Sequence, residues 1–445
     1  MPIAKAAESS STADSKKFTP QEKSWILYDW ANSVYATNIM AAIFPIYFGA
    51  VCQSAGVDNV QMWGLGTSLA TLVVAVLAPF LGALGDYRGM KKKLFTVFLF
   101  IGVICTSFMA IFDEWQMMLV GYVLSYIGFA GSCLFYDSFL TDVTTEDRMD
   151  RVSSWGYAMG YIGGSTIPFV ASIAVLLIMG MSNPTAVKIS VVITSVWWLI
   201  FSLPMLLRVK QVHYVQTPPA KLLRNTLHNI GHTMKSIFHN KGIFFFIIAY
   251  FCYIDGVGTV IHMSTSYGSD LGLDSTGMII ALLVTQIVAV PCSILYGRLS
   301  KRYGAIRMIL FAIAVYFLIC VLGFYMGFSI ELVEGASAPV YQEALARSQV
   351  LFWIMAFLVG TVQGGVQALS RSYFGKLVPP EKSNEYFGFF DIFGKFATVI
   401  GPALVGLITG LTGRSSYGIL SVIVLFAAGG ALLLVGRKYF PQHTA

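Results

Sequence analysis

The chain alternates about twelve times between apolar stretches of roughly 20–27 residues and hydrophilic connections, and only every second connection is basic. Of 29 Lys and Arg residues, 25 lie on these alternate connections or on the terminal tails. They include Lys23, Arg88, Lys91 to Lys93, Arg148, Arg151, Arg208, Lys241, Arg298, Lys301, Arg302, Arg307, Arg371, Lys376, Arg437 and Lys438. The intervening connections hold only Lys188, Arg347 and Arg414, beside acids such as Asp113, Glu114, Asp270, Glu331 and Glu334. Each apolar stretch is long enough to cross a ~30 Å hydrocarbon core, and basic loops stay on the cytoplasmic side. The pattern therefore predicts an all-α polytopic membrane protein with 12 transmembrane helices and both termini cytoplasmic. A chain with 56% hydrophobic and 11% charged residues is not expected to be soluble. Its net charge of +7 points to anionic lipids at the cytoplasmic leaflet and not to nucleic acid.

The spans fall near residues 24–50, 60–84, 94–112, 115–141, 152–178, 186–207, 242–267, 275–297, 306–328, 348–371, 384–411 and 415–436. Residues 1–23 read as a disordered cytoplasmic tail with no signal-peptide core, and 439–445 as a second tail. Between six-helix halves at 24–208 and 242–438 runs a linker, 209–241. Within it, residues 220–240 place Leu223, Leu227, Ile230, Met234 and Ile237 on one helical face and basic residues on the other. That pattern predicts an amphipathic helix on the leaflet. His228 and His232 are read as part of its basic stripe, so no metal is expected. The six cysteines imply no disulfide framework.

The halves repeat. Gly82, Asp86 and Gly89 after the second span recur as Gly297, Lys301 and Gly304 after the eighth, at a constant offset of 215 residues. Gly160 and Pro168 in the fifth span match Gly394 and Pro402 in the eleventh. Duplicated six-helix bundles bind solute between the halves and alternate its access by rocking.

The segment 82–93, with Gly82, Asp86, Gly89 and Lys91 in place and Arg88 one position late, resembles the cytoplasmic loop motif of the major facilitator superfamily. The second copy keeps Gly297, Arg302 and Gly304. The resemblance implies two pseudo-symmetric bundles and a charged latch, formed by Asp86, Arg88 and Gly89, that holds them together when the path opens outward. A narrower likeness rests on Trp25, Tyr28, Asp29, Trp30, Asn32, Ser33 and Tyr35, on Gly156, Gly160, Gly163 and Gly164, and on Tyr253, Asp255 and Gly256. These residues resemble bacterial relatives of the vacuolar, autophagy-related amino-acid effluxer family. The likeness implies amino-acid efflux, and a monomeric carrier of the bacterial cell (inner) membrane is expected.

Charges near mid-bilayer cost about 2.5–3.5 kcal/mol on insertion scales, so retained ones need a reason. Tyr28, Asn32 and Tyr35 share one face of the first span, with Asp29 beside them. In the fourth span Tyr122, Ser125, Ser132 and Tyr136 are in register, with Asp137 adjacent. The seventh carries Asp255, Thr259 and His262, and the tenth carries Gln363, Gln367 and Ser370, with Arg371 at the span edge. In the superfamily fold these four helices line the cavity. Asp391 and Lys395, at i and i+4, read either as an internal neutral pair or as a pair that opens for substrate. Asn32, Gln363 and Gln367 read equally as helix–helix bridges. Asp29 and Asp137 read equally as gate partners, while Asp255, deeper in its span, is the foremost functional candidate. Trp25, Trp30 and Trp353 read as interfacial anchors, and Gly156, Gly160 and Gly164 as a packing ridge.

No enzyme motif is present. Residues 388–396 have five residues between Gly388 and Gly394, and Phe396 where a phosphate loop needs Ser or Thr, so no nucleotide cofactor is expected. Within the spans Asp29, Asp137, Asp255 and Asp391 face only Lys395, which disfavours phosphorylated and dicarboxylic cargo. The reading that follows is proton-linked transport of small zwitterions such as neutral amino acids. A lipid or drug carrier of the same fold and a non-transporting scaffold or sensor remain the alternatives.

Overall fold

The computed structural model describes residues 17–180, 183–216, 231, 233–335, 337–396 and 399–441, excluding the side chains of Val60, Ser165, Ser275, Thr276, Lys395 and Phe396. Most of the expected 220–240 helix, with His228 and His232, therefore lies outside the described residues, as does the Lys395 end of the Asp391–Lys395 pair. Residues 233–239 are helical and bury Thr233 and Ile237.

The first half begins with α1 (Pro20–Tyr35), which runs through a π-helical segment, Ala36–Ala42, into α2 (Ile43–Ser54). It continues with α3 (Asn59–Gly85), α4 (Met90–Phe108), α5 (Trp115–Ser138) and the single turn α6 (Leu140–Val143). α7 (Glu146–Ser165) and α8 (Ile167–Met179) form one bent rod broken at Thr166, and α9 (Pro184–Arg208) ends the half. The second half comprises α10 (Lys241–Asp270), α11 (Ser275–Tyr303), α12 (Ala305–Glu331), α13 (Ala338–Leu377), α14 (Ser383–Phe396), α15 (Ile400–Thr412), α16 (Ser415–Ser421) and α17 (Ile423–Gly436).

Among the described residues, ten helices are long and apolar enough to cross a membrane. The third expected span corresponds to α4, whose first turn carries three lysines, and the eleventh is split between α14 and α15, of 14 and 13 residues. At 40 residues, α13 is the longest helix, about 60 Å at 1.5 Å per residue. Its first turns occupy part of the connection between the spans expected at 306–328 and 348–371. Pro339 in the opening turn and the Glu343–Arg347 pair at i, i+4 support helix there.

Helix starts follow local capping chemistry. The side chains of Asp58, Asn183, Asn240 and Asp274 accept backbone amides at the heads of α3, α9, α10 and α11. Thr19 and Glu22 form a reciprocal capping box on α1. Each half buries its own core, one around Trp25, Phe98, Phe135 and Trp198, the other around Phe246, Tyr316, Phe374 and Phe426. Glycines allow the closest crossings: a Cβ on Gly128 would lie 2.2 Å from the Gly102 amide, so α4 and α5 meet backbone to backbone. Leu69, Leu72, Val76, Ile104, Leu207, Ile287 and Leu434 stay exposed on the outer faces, as a lipid-facing surface requires. Among the described residues, the basic connections meet at one end of the two bundles, the basic end, where Arg148 reaches Glu22, Lys91 reaches Ser383, and Arg151 and Arg298 line one cleft.

Candidate functional site

A buried guanidinium is central to the joint between the halves near the basic end. Arg371, on α13, is 3% exposed. Its Nη1 donates to Asp137 Oδ1 at 2.9 Å and its Nη2 to Asp29 Oδ2 at 3.2 Å. Its Nε donates to the Ser153 hydroxyl at 3.0 Å, and Nη2 also to the Ser153 carbonyl at 3.1 Å. The rings of Trp25, Tyr136 and Tyr157 pack around the cation, 4.4–5.4 Å from Cζ. Asp29 also accepts from the Tyr136 hydroxyl at 2.7 Å, and Trp25 donates to the Tyr136 carbonyl at 2.8 Å. Glycine makes this possible, since a Cβ on Gly156 would fall 2.5 Å from Asp29 Oδ2. A buried ion is tolerated when paired and hydrogen-bonded in this way.

Two expectations change here. Arg371 lies near the span edge but is buried there and paired with Asp29 and Asp137, so these acids face a cation other than Lys395. Trp25 is fully buried against Tyr136 and is no interfacial anchor, because its ring is needed to cover the guanidinium. The available signal was depth: Asp29, Asp137 and Arg371 all lie within a turn or two of the same edge.

Above the clamp a cavity of about 310 Å³ lies between the halves. Asp137, Tyr157, Tyr250, His262, Gln367 and Asp391 line it, with Arg371 at its wall. Other expected pathway residues face elsewhere. Asn32 reaches the Cys133 sulfur at 3.8 Å, and Tyr35 exchanges a 2.8 Å hydrogen bond with Ser125; both are buried inside the first half. Thr259 and Gln363 line a smaller apolar cavity of about 100 Å³ within the second half. Asp255 is fully buried and accepts the Gly401 amide at 3.0 and 3.1 Å, and so caps the start of α15.

The loop motif works by the same device across the halves. Asp86 accepts from the Asn384 amide and side chain, both at 2.9 Å, and from the Glu385 amide at 3.2 Å, so it caps α14 of the opposite half. Lys91 is fully buried; its Nζ donates to Asp142 at 2.7 Å and to the Ser383 hydroxyl of the other half at 3.0 Å. A Cβ on Gly82 would lie 2.5 Å from the Asn384 carbonyl, and Gly89 holds φ +72°. The linker closes over this loop. Asp86 and Arg88 hydrogen-bond the Val215 backbone, Arg88 lies over Tyr214, and Asp142 accepts the Val212 and His213 amides. In the second copy Gly297 abuts Ser154, Gly304 holds φ +85°, and Arg302 lies over Tyr303. Ser372 and Lys376 both bind Asp150, 2.7 Å each, and add to the joint.

Two results are expected. Asp255→Ala leaves the head of α15 unsatisfied and should cost about 1–3 kcal/mol in unfolding experiments in detergent, whereas Asp255→Asn, which keeps an acceptor, should cost less. Burial pushes Asp86 up to about 7 against the opposing effects of Lys91 and Asn384, and the Asp142 carboxylate raises His213, whose ring it approaches to 3.3 Å. Both groups hold protons more tightly when the linker and α14 are docked. These two groups therefore favour docking below about 7 and withdraw that support as pH rises through about 7 and the raised His213 value. Asp142, held low by Lys91 and His213 against its burial, instead loses its hold on the linker amides as pH falls through the carboxylate range. Hydrogen exchange of residues 209–216, corrected for intrinsic rates, should show less protection at pH 8 than at pH 6.

The family described as "Vacuole effluxer Atg22 like" matches residues 61–148 and 141–437. The chain is similar to the "Uncharacterized MFS-type transporter YxiO" of Bacillus subtilis, 43% identical over 440 residues and 97% of both chains. It is also similar to autophagy-related protein 22 of Cryptococcus neoformans, 26% identical over 62% of this chain and 48% of that protein. Among solved structures, the major facilitator superfamily transporter FucP in its outward conformation aligns at TM-score 0.67 and 13% identity, covering 95% of this chain and 99% of that one. This is a multi-pass integral membrane protein, as expected for the bacterial cell membrane, and it belongs to the Atg22-like family of major facilitator superfamily transporters.

Proposed function

We propose that the chain is a monomeric secondary active carrier that exports small zwitterionic solutes such as neutral amino acids, coupled to protons, by alternating access. In this reading it has twelve spans, with both termini and the basic end cytoplasmic, and the described state is closed on that side. The observation that carries the reading is the Arg371 clamp: charges from both halves seal the basic end directly beneath a polar cavity that both halves line. At about 310 Å³ the cavity is at the small end of ligand sites, which suits a solute of amino-acid size. Asp137 and Asp391 offer acceptors for an ammonium, and Tyr157 and Tyr250 offer faces for a small side chain. Arg371 offers a bidentate partner to a carboxylate when it leaves its own acids.

Coupling is assigned to Asp137, which lines the cavity and shares Arg371 with Asp29. Proton uptake by Asp137 removes one of two opposing charges and loosens the clamp. Export accords with the effluxer description of the matching family. A second reading, an amphipathic lipid-like or drug-like cargo, is favoured by the neighbouring cavity lined by Met263, Leu282, Ile319 and Phe352.

Counterflow in proteoliposomes tests these readings. Wild type should exchange labelled neutral amino acids at a rate that depends on an imposed pH gradient. Asp137→Asn should keep exchange but lose that dependence, and Arg371→Ala should slow exchange by at least about tenfold. Exchange blocked by lysolipids and indifferent to amino acids would overturn the amino-acid assignment in favour of the second reading.

A further inference from the structure

The two copies of the loop motif end differently. In the first copy, Asp86 caps α14, Lys91 is absorbed by Asp142 and Ser383, and the linker covers the loop. At the same offset of 215 residues, the second copy has Lys301 in the place of Asp86 and Arg307 in the place of Lys92. α11 still approaches the opposite half, since a Cβ on Gly297 would lie 2.7 Å from the Ser154 Cβ. Beyond that contact the surface opens into a cleft of about 930 Å³, walled by α7 from the first half and by the end of α11 and the start of α12 from the second.

The cleft wall is strongly cationic. Seven Lys and Arg line it against Glu146, Asp147 and Asp150. Two of the seven are already matched, Arg148 with Glu22 and Lys376 with Asp150, each at 2.7 Å. Arg298, Lys301, Arg302 and Arg307 are exposed. Among the described residues none of these four has an ion-pair partner within 4.0 Å. Arg298 is also close enough to Arg151 across the cleft for the two charges to repel. This repulsion opposes the closed basic end, where both residues are brought to one cleft.

The head of α12 adds to the imbalance. This 27-residue helix starts in the cleft with no side-chain cap and no acid in its first turn, and Arg307 stands there instead. A cation beside free helix-head amides is unfavourable unless an anion lies between them. Guanidinium groups and helix amides together select phosphate oxygens. The position, at the ends of membrane helices and beside the half-buried indole of Trp155, selects a phosphate carried by a lipid.

We propose that this cleft binds the phosphates of an anionic phospholipid headgroup, bridging Arg151 of the first half to Arg298, Arg302 and Arg307 of the second, and that its occupancy holds the basic end closed. The loss of the acid at Lys301 is then the feature that turns the second motif copy from a self-contained cap into a ligand site. The site needs no transported solute, so its test is separate from the assignment of cargo.

The full-length protein, delipidated in detergent, should be titrated with cardiolipin, phosphatidylcholine and inorganic pyrophosphate, with bound lipid read by native mass spectrometry and melting temperature followed in parallel. Wild type should bind and be stabilised by cardiolipin but not by phosphatidylcholine. Arg298→Gln/Arg307→Gln should weaken cardiolipin binding by at least about tenfold, and Arg208→Gln, at another basic helix end, should not. Should the double Gln variant fold poorly, Arg298→Lys/Arg307→Lys keeps the charge, loses the bidentate geometry, and should still bind more weakly than wild type. Equal cardiolipin affinity in wild type and whichever double variant folds would overturn the site. Pyrophosphate binding more tightly than cardiolipin would overturn the lipid assignment and give the cleft to soluble phosphates.

Discussion

Among the described residues, a buried guanidinium makes the most heavily partnered contact between the two halves. Arg371 is removed from water, and a charge so placed is tolerated only while its donors are matched. Its ionic partners, Asp29 and Asp137, belong to the other half of the chain. Separating the halves at the basic end would therefore strip a buried cation of both counterions at once, unless water or a substrate group replaces them. The proposed alternation of access would exchange these pairings for solvation of the same charges. Gly156, with no side chain, and Trp25 and Tyr136, with flat ones, are what allow the ions to meet at that depth.

The same economy recurs at helix heads. Asp86 caps α14 across the boundary between halves, whereas Asp255 caps α15 within the second half. Together these two carboxylates serve both pieces of a span that is broken between them. An acid at an interrupted helix thus has a structural use that its depth in an apolar stretch does not disclose. Asp86 also ties the halves together, because the amides it caps belong to the opposite half.

Periodicity, charge alternation and the repeat at an offset of 215 were enough to reveal a duplicated helical membrane bundle, and the glycine-bearing loop motif to reveal its superfamily. They carried less information about side-chain direction. Asn32, Tyr35, Asp255 and Thr259 sit on the faces expected from a period of 3.6 residues, yet those faces meet neighbouring helices and not the central cavity. His262 and Gln367 sit on equally periodic faces and do line it, as do Asp137 and Asp391. What separates the two groups is the tilt and spacing of several helices at once, set by contacts such as Gly128 on Gly102, and no single span encodes that. Arg371 was read at the end of its span, but its burial was not legible there, because the rings and acids that cover it come from the other half.

The clamp is tested most directly by the distance between the halves at the basic end. Spin labels at Lys93→Cys and Lys382→Cys, both exposed and on opposite halves, can be placed in a background lacking the six native cysteines. Pulsed electron resonance should then give one short, narrow distance distribution for the otherwise unaltered protein, and a broader, longer one for Asp29→Asn/Asp137→Asn. An unchanged distribution in the double variant would mean that the Arg371 ion pairs do not hold the halves together.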